Sequence, residues 1–145
     1  MKMEISSVAK VLGGKRVLRR NIQNRMDLVE LSRQGLTKAA LINLADYLSC
    51  TIGDMAQIVS VTERTLLKHT ASKPFNRFVS EQILQIAEVA ARGAEVFEDR
   101  SKFLAWMNHP NRALANKTPM SLLNSKYGVD MILDELGRIE HGVFS

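Results

Sequence analysis

Thr62, Glu63, Arg64, Thr65, Lys68 and His69 fall within one short stretch and carry side chains able to read or grip nucleic acid. A guanidinium can bond bidentately to guanine, so Arg64 is the natural base reader, while the threonine hydroxyls can reach phosphate oxygens. Glu63 works against this, because a carboxylate near the groove repels phosphate unless it accepts from a cytosine amino group. Arg19 and Arg20, with Lys15 and Arg16, form a second cationic cluster that can supply the missing positive charge. Enzyme chemistry is poorly served. His69, His109 and His141 are scattered without helical ligand spacing, and Cys50 is the single cysteine, so neither a metal cluster nor a disulfide within the chain is expected. Gly13-Gly14 lacks the lysine-serine end and the preceding strand of a phosphate loop, and no Ser, His and acid set can be brought together from the sequence. The reading is therefore a binding protein without catalytic residues, metal or cofactor, in which Cys50 is a small buried hydrophobe.

The elements that must position these groups are all helical. Leu41, Leu44, Ala45 and Leu48 stand at i, i+3, i+4 and i+7, one face of a helix over Lys38–Leu48. Thr51 followed by Asp54 offers a hydroxyl N-cap and an acid in the first turn for a helix over 52–59, with Met55, Ile58 and Val59 toward the core. Thr62 caps a third helix over 63–69, with Leu66 pointing inward. Two short helices joined by a tight turn and preceded by a packing helix match a helix-turn-helix, whose second helix enters the major groove. Upstream, Met26, Leu28, Val29 and Leu31 predict a short amphipathic helix stopped by Gly35, and the Gly13-Gly14 segment reads as a basic arm.

Ser72, Lys73 and Pro74 break the pattern. Beyond them, Ser80 is the expected cap of a long helix whose stripe is Ile83, Leu84, Ala87, Ala90, Ala91, Ala94 and Phe97. A helix follows over 101–107 and a turn over 108–111, and Thr118-Pro119 is an N-cap with proline at the first position of a short helix over 119–123. Ser125 opens the last helix, faced by Val129, Ile132, Leu133, Leu136 and Ile139 and ended by Gly142. The fold class is all-α, divided into a basic arm and short helix at 1–35, a helix-turn-helix region at 36–75 and a helical domain at 76–145.

Charge follows the same division. Residues 1–35 hold eight basic and three acidic side chains, residues 36–75 four and three, and residues 76–145 eight and nine. A basic head with a near-neutral tail suggests a polyanion for the first and a different partner for the second. With 46% hydrophobic and 24% charged residues over 145 positions, a real core is expected. No apolar run approaches the roughly 20 residues of a membrane span and the start lacks a secretory h-region, so a cytoplasmic location is expected.

An ordered series of residues resembles a known family, the Xre, MbcA and ParS type antitoxins, from about Leu12 to Ser145. It comprises Leu12-Gly13-Gly14, Asp27-Leu28-Val29-Glu30 leading to Gly35-Leu36, and Arg64-Thr65-Leu66. Ala94-Glu95-Val96-Phe97, Trp106 with Pro110-Asn111 and Leu114, and Thr118-Pro119 with Leu122-Leu123 follow. Gly128 and the closing Leu136-Gly137-Arg138-Ile139-Glu140-His141-Gly142 complete it. The resemblance implies a Cro-like DNA-binding region acting on the operator of its own operon and a C-terminal toxin-binding domain. It further implies a homodimer encoded beside a RES-fold toxin that degrades NAD. It also implies that the C-terminal segment covers the toxin's active-site cleft, which makes Arg138, Glu140, His141, Gly142, Val143 and Phe144 the candidate toxin contacts. Val143-Phe144 after a glycine is an apolar anchor on a hinge, suited to filling a pocket. Ser49 and Ser60 stand where the family usually has glycine, and Lys68-His69 where arginines are common. Trp106, Pro110 and Asn111 read as scaffold. A stand-alone Cro-like repressor without a toxin is the competing reading.

Overall fold

In the computed structural model, which describes residues 5–142, the chain is helical throughout, and the only extended pairing among the described residues is an isolated bridge between Asn111 and Lys117. The segment expected to be a free arm is folded instead. Ile5–Val11 forms α1 and Lys15–Leu18 a single turn, α2, and Val8, Leu12, Leu18 and Ile22 are buried. Helical periodicity is absent there because the chain reverses at Gly13 (φ 114°) and Gly14 (φ 76°). A Cβ on Gly13 would collide with Asn43 and Val17, so the reversal admits no larger residue.

Next come α3 (Arg25–Gln34), α4 (Lys38–Leu48), α5 (Ile52–Ile58) and α6 (Glu63–Lys68). The predicted inward positions hold: Leu41, Leu44, Ala45, Leu48, Met55, Ile58, Val59 and Leu66 are all buried. Thr51 caps α5 through a reciprocal box, its hydroxyl accepting from the Asp54 amide while the Asp54 carboxylate accepts from the Thr51 amide, both at 3.0 Å.

The long helix α7 (Arg77–Phe97) is central: α1, α3, α4, α8 (Arg100–Met107) and α9 (Lys126–Glu140) all pack on it. Its buried positions, among them Val79, Ile83, Ile86, Val89, Ala90 and Gly93, go well beyond one stripe, while Ala94 is exposed and Phe97 half-buried. The cap is Asn76, whose side chain accepts from the Val79 amide at 2.9 Å, rather than the expected Ser80. Ser80 is buried one turn later, where its hydroxyl accepts from the Leu36 amide at 3.0 Å and donates to the Phe75 carbonyl at 3.3 Å. Pro74 therefore marks a turn that binds α7 to the entry of α4, and the expected break after residue 75 falls where the two halves are stitched together.

Between α8 and α9 lie two 3₁₀ turns, Arg112–Leu114 and Pro119–Leu122, the second begun by the predicted Thr118-Pro119 cap but too short and tight to be α-helical. Ser125 caps α9 by accepting from the Gly128 amide at 2.9 Å. One contiguous core runs from Val8 to Leu136. No described helix is long and apolar enough to cross a membrane.

Candidate nucleic-acid and partner interfaces

The α5–α6 unit presents a mixed surface. Arg64 and Lys68 are exposed and enter no ion pair among the described residues. The Thr62 hydroxyl accepts from the Thr65 amide at 3.0 Å and donates to the Thr65 hydroxyl at 2.7 Å, so Thr62 spends itself on capping and Thr65 keeps a hydroxyl hydrogen to offer a phosphate. Glu63 leans back toward α5, and a Cβ on Gly53 would come within 3.3 Å of its Oε2. There its charge faces the first turn of a helix, a favourable place for a carboxylate. His69 is turned into the fold: its ring stacks on Phe75 with centroids 4.2 Å apart, and Nε2 lies 2.7 Å from the Lys73 carbonyl oxygen. Of the six residues singled out, the structure thus presents Arg64, Thr65 and Lys68 together and occupies Thr62, Glu63 and His69 locally. Arg19 is exposed and Arg20 half-buried at the end of α2.

The two serines in glycine positions explain the glycine. Ser49 ends α4 at φ 55° and Ser60 sits in the α5–α6 turn at φ 60°, both in the left-handed region that disfavours a Cβ. Cys50, beside Ser49, is half-buried, and burial pushes its thiol above its ordinary pKa.

At the other end, α9 delivers the proposed contact residues. Glu140 is held by Arg92 of α7 through two bonds, Nη1 donating to Oε2 at 2.8 Å and Nη2 to Oε1 at 2.7 Å. Hydrogen bonds from Arg92 hold the Glu140 carboxyl below its ordinary pKa, and the same pair pushes the Arg92 guanidinium up. Arg138 donates to Glu135 at 3.0 Å, and His141 and Gly142 (φ 73°) are exposed where α9 ends. Val143 and Phe144 lie outside the described residues. Glu140 is accordingly a strut for the end of α9 before it is anything else, an arrangement sequence could not reveal because its partner lies 48 positions away.

Arg100 was also invisible in the sequence. Its Nε donates to the Tyr47 carbonyl at 2.9 Å, and its Nη2 to the Asp46 carbonyl at 2.7 Å and the Ser49 hydroxyl at 3.1 Å. The cation lies over the Tyr47 ring, 5.5 Å from its centroid. It satisfies the last carbonyls of α4 from the start of α8, joining front and rear halves.

Comparison with known proteins fits this two-part layout. Residues 27–88 match the antitoxin Xre-like helix-turn-helix domain, and residues 92–142 match the antitoxin Xre/MbcA/ParS C-terminal toxin-binding domain. Between them the two matches span most of the chain, and both are to domains of antitoxins. Curated relatives include an antitoxin Xre of Yersinia enterocolitica serotype O:8, 28% identical over 120 residues that make up 81% of either chain. An antitoxin Xre of Photorhabdus laumondii is 27% identical over 114 residues, 77% of either chain. A chain of the M. tuberculosis MbcT-MbcA toxin-antitoxin complex shares the fold, with a TM-score of 0.58 at 22% identity, covering 74% of this chain and 96% of that one. Both matched domains draw on α7, the first ending and the second beginning within it.

Proposed function

We propose that this antitoxin neutralises a RES-type, NAD-degrading toxin by laying its C-terminal segment over the toxin's active site, and that it represses its own operon as a homodimer through α5 and α6. It is a regulator and not an enzyme, working in the cytoplasm where its operon and the NAD pool are found. The observation that carries the toxin half is the bidentate Arg92–Glu140 pair, which fixes the point at which the chain leaves the toxin-binding domain. Arg138, His141, Gly142, Val143 and Phe144 are then the residues offered to the toxin, with Glu140 as their support. An anchored exit lowers the ordering cost of docking a short apolar segment. The MbcT-MbcA structure is of a toxin-antitoxin complex, and the shared fold favours the same kind of assembly here.

The DNA half is supported by the exposed Arg64, Thr65 and Lys68 on α6. A two-fold dimer would place two such helices one helical turn of DNA apart on a palindromic operator.

Co-expression with the toxin encoded beside it should restore growth and cellular NAD, and removal of residues 142–145 should abolish that rescue while leaving DNA binding intact. Rescue that survives the truncation overturns the occluding role of the segment. A chain that binds its operator but neither co-purifies with the neighbouring gene product nor lowers NAD consumption would instead be a stand-alone repressor.

A further inference from the structure

A cavity of about 520 Å³ opens between α2, the α3–α4 junction and the loop that follows α6. Arg16 and Arg19 line one side, Thr37 and Gln34 another, and Ser72 and Pro74 a third. No carboxylate lines it, and neither arginine enters an ion pair among the described residues. Two uncompensated guanidiniums on one concavity form a site for an oxyanion, since each can donate a pair of parallel hydrogen bonds to a phosphate. Thr37 adds to this. It stands at the N-cap of α4 yet makes no side-chain cap bond, whereas Asn24, Thr51, Thr62, Asn76 and Ser125 each cap their helices. Its hydroxyl is therefore not spent on the start of α4, and Thr37 and Ala39 both line the cavity.

The source of the anion follows from where the cavity lies. Ala71 and Ser72 in its wall come directly after α6, and the Lys38 ammonium donates to the Leu67 carbonyl at 3.1 Å, tying the start of α4 to the end of α6. The opposite edge of the helix-turn-helix is unsuited to a phosphate. Asp54 occupies the start of α5 with its capping box, and Glu63 leans on the same turn, so two carboxylates stand where a helix start would otherwise attract the backbone.

We propose that this cavity grips a backbone phosphate of operator DNA at the C-terminal end of α6, with Arg16, Arg19 and Thr37 as the contacting residues. The assignment rests on the DNA-binding reading of α5 and α6. Arg16 and Arg19 position the protein along the duplex while Arg64 reads bases, so sequence preference and salt dependence reside in different side chains.

The test is binding of the full-length chain to DNA from upstream of its own gene, titrated with salt. Each lost phosphate contact removes about 0.9 from the slope of log affinity against log salt, so replacing both Arg16 and Arg19, which share one phosphate, with alanine should flatten the slope by about 0.9 without altering which sequences are preferred. Thr37→Val, which carries no charge change, should weaken binding roughly threefold to tenfold. Replacing Arg112 and Lys117 with alanine, at the far 3₁₀ turn, should leave the slope nearly unchanged. Matching circular dichroism and melting curves establish that the variants fold. The proposal is overturned if the Arg16 and Arg19 pair behaves like the Arg112 and Lys117 pair while Arg64→Ala still loses preference. It is also overturned if inorganic phosphate, but not operator DNA, perturbs the NMR signals of the Lys38 and Ala39 amides, which would make the cavity a site for a free anion. A wild-type chain that binds no upstream DNA at low salt refutes the helix-turn-helix reading itself, and the phosphate assignment falls with it.

Discussion

Ser49 and Ser60 adopt the same left-handed backbone but differ in what surrounds them. Ser60 is exposed in the α5–α6 turn, whereas the Ser49 hydroxyl accepts from Arg100 at 3.1 Å. A non-glycine residue in this region is penalised by roughly 1–2 kcal/mol, and glycine returns part of that through its greater freedom when unfolded. Ser60→Gly should therefore stabilise the fold by about 0.5–1 kcal/mol, read as a higher midpoint in urea. Ser49→Gly should gain less, because the hydrogen bond to Arg100 goes with the side chain. A Ser60→Gly protein that unfolds more easily would show that the turn is not strained. For DNA, Arg64→Ala should lose about 1–3 kcal/mol of preference at one base pair if its contact is bidentate, measured by comparing operator variants. Equal loss on every sequence would make Arg64 a phosphate contact. The sequence exposed the serine-for-glycine departures and nominated Arg64; only the backbone angles gave the departures an energetic sign. That His69 is turned onto Phe75 was not legible, since the stacking depends on how the loop over 70–74 closes.

The association of α7 with α8 and α9 sets the shape of the toxin-binding domain. Gly93 of α7 lies directly under the Phe103 ring of α8, where any Cβ would overlap the ring. Phe103 is fully buried and has no room to withdraw. Gly93→Ala should destabilise by roughly 1–3 kcal/mol through overpacking, against the small gain expected for the same change in an open helix. A melting temperature equal to or above wild type would count against that close approach. The last turn of α9 depends on charge instead. Since the Glu140 carboxyl titrates below its ordinary range, the stabilisation it draws from Arg92 is complete at neutral pH and is lost as the pH falls through that depressed value. Amide exchange at 138–141 should accordingly be slow in neutral solution and quicken in acid, while Arg92→Met should exchange fast at both and show little pH dependence beyond the intrinsic rate. Identical pH profiles for the two proteins would mean that Arg92 does not hold this turn. The sequence places α9 with its Ser125 cap and the body of α7, because those signals are local, but it puts the α7 cap at Ser80 where Asn76 serves; the ion pair bridges two elements, and no periodicity announces it.

At the scale of the molecule, a single core passes through both matched domains and α7 belongs to each. Cooperative unfolding is the expected result. Trp106 is the only tryptophan and lies in the toxin-binding half, its ring 5.7 Å from that of Phe97, so its fluorescence should report the same urea midpoint as far-ultraviolet circular dichroism. Two separated midpoints would mean that the halves fold independently and that the junction through Ser80 and Arg100 contributes little. Read alone, the 145 residues determine the helical class, the helix-turn-helix with its Thr51 and Thr62 caps, the basic bias of the front end and the ordered series shared with the antitoxin family. Each of these is written in neighbours a few positions apart, where period, cap and charge act directly on the local backbone. Tertiary structure alone decided that the basic front end is folded and not free, that α7 unites the halves, that Glu140 belongs to Arg92, and that Arg16, Arg19 and Thr37 share one cavity. Those outcomes depend on which distant surfaces exclude water together, and burial of that kind is a property of the assembled chain that no short window contains.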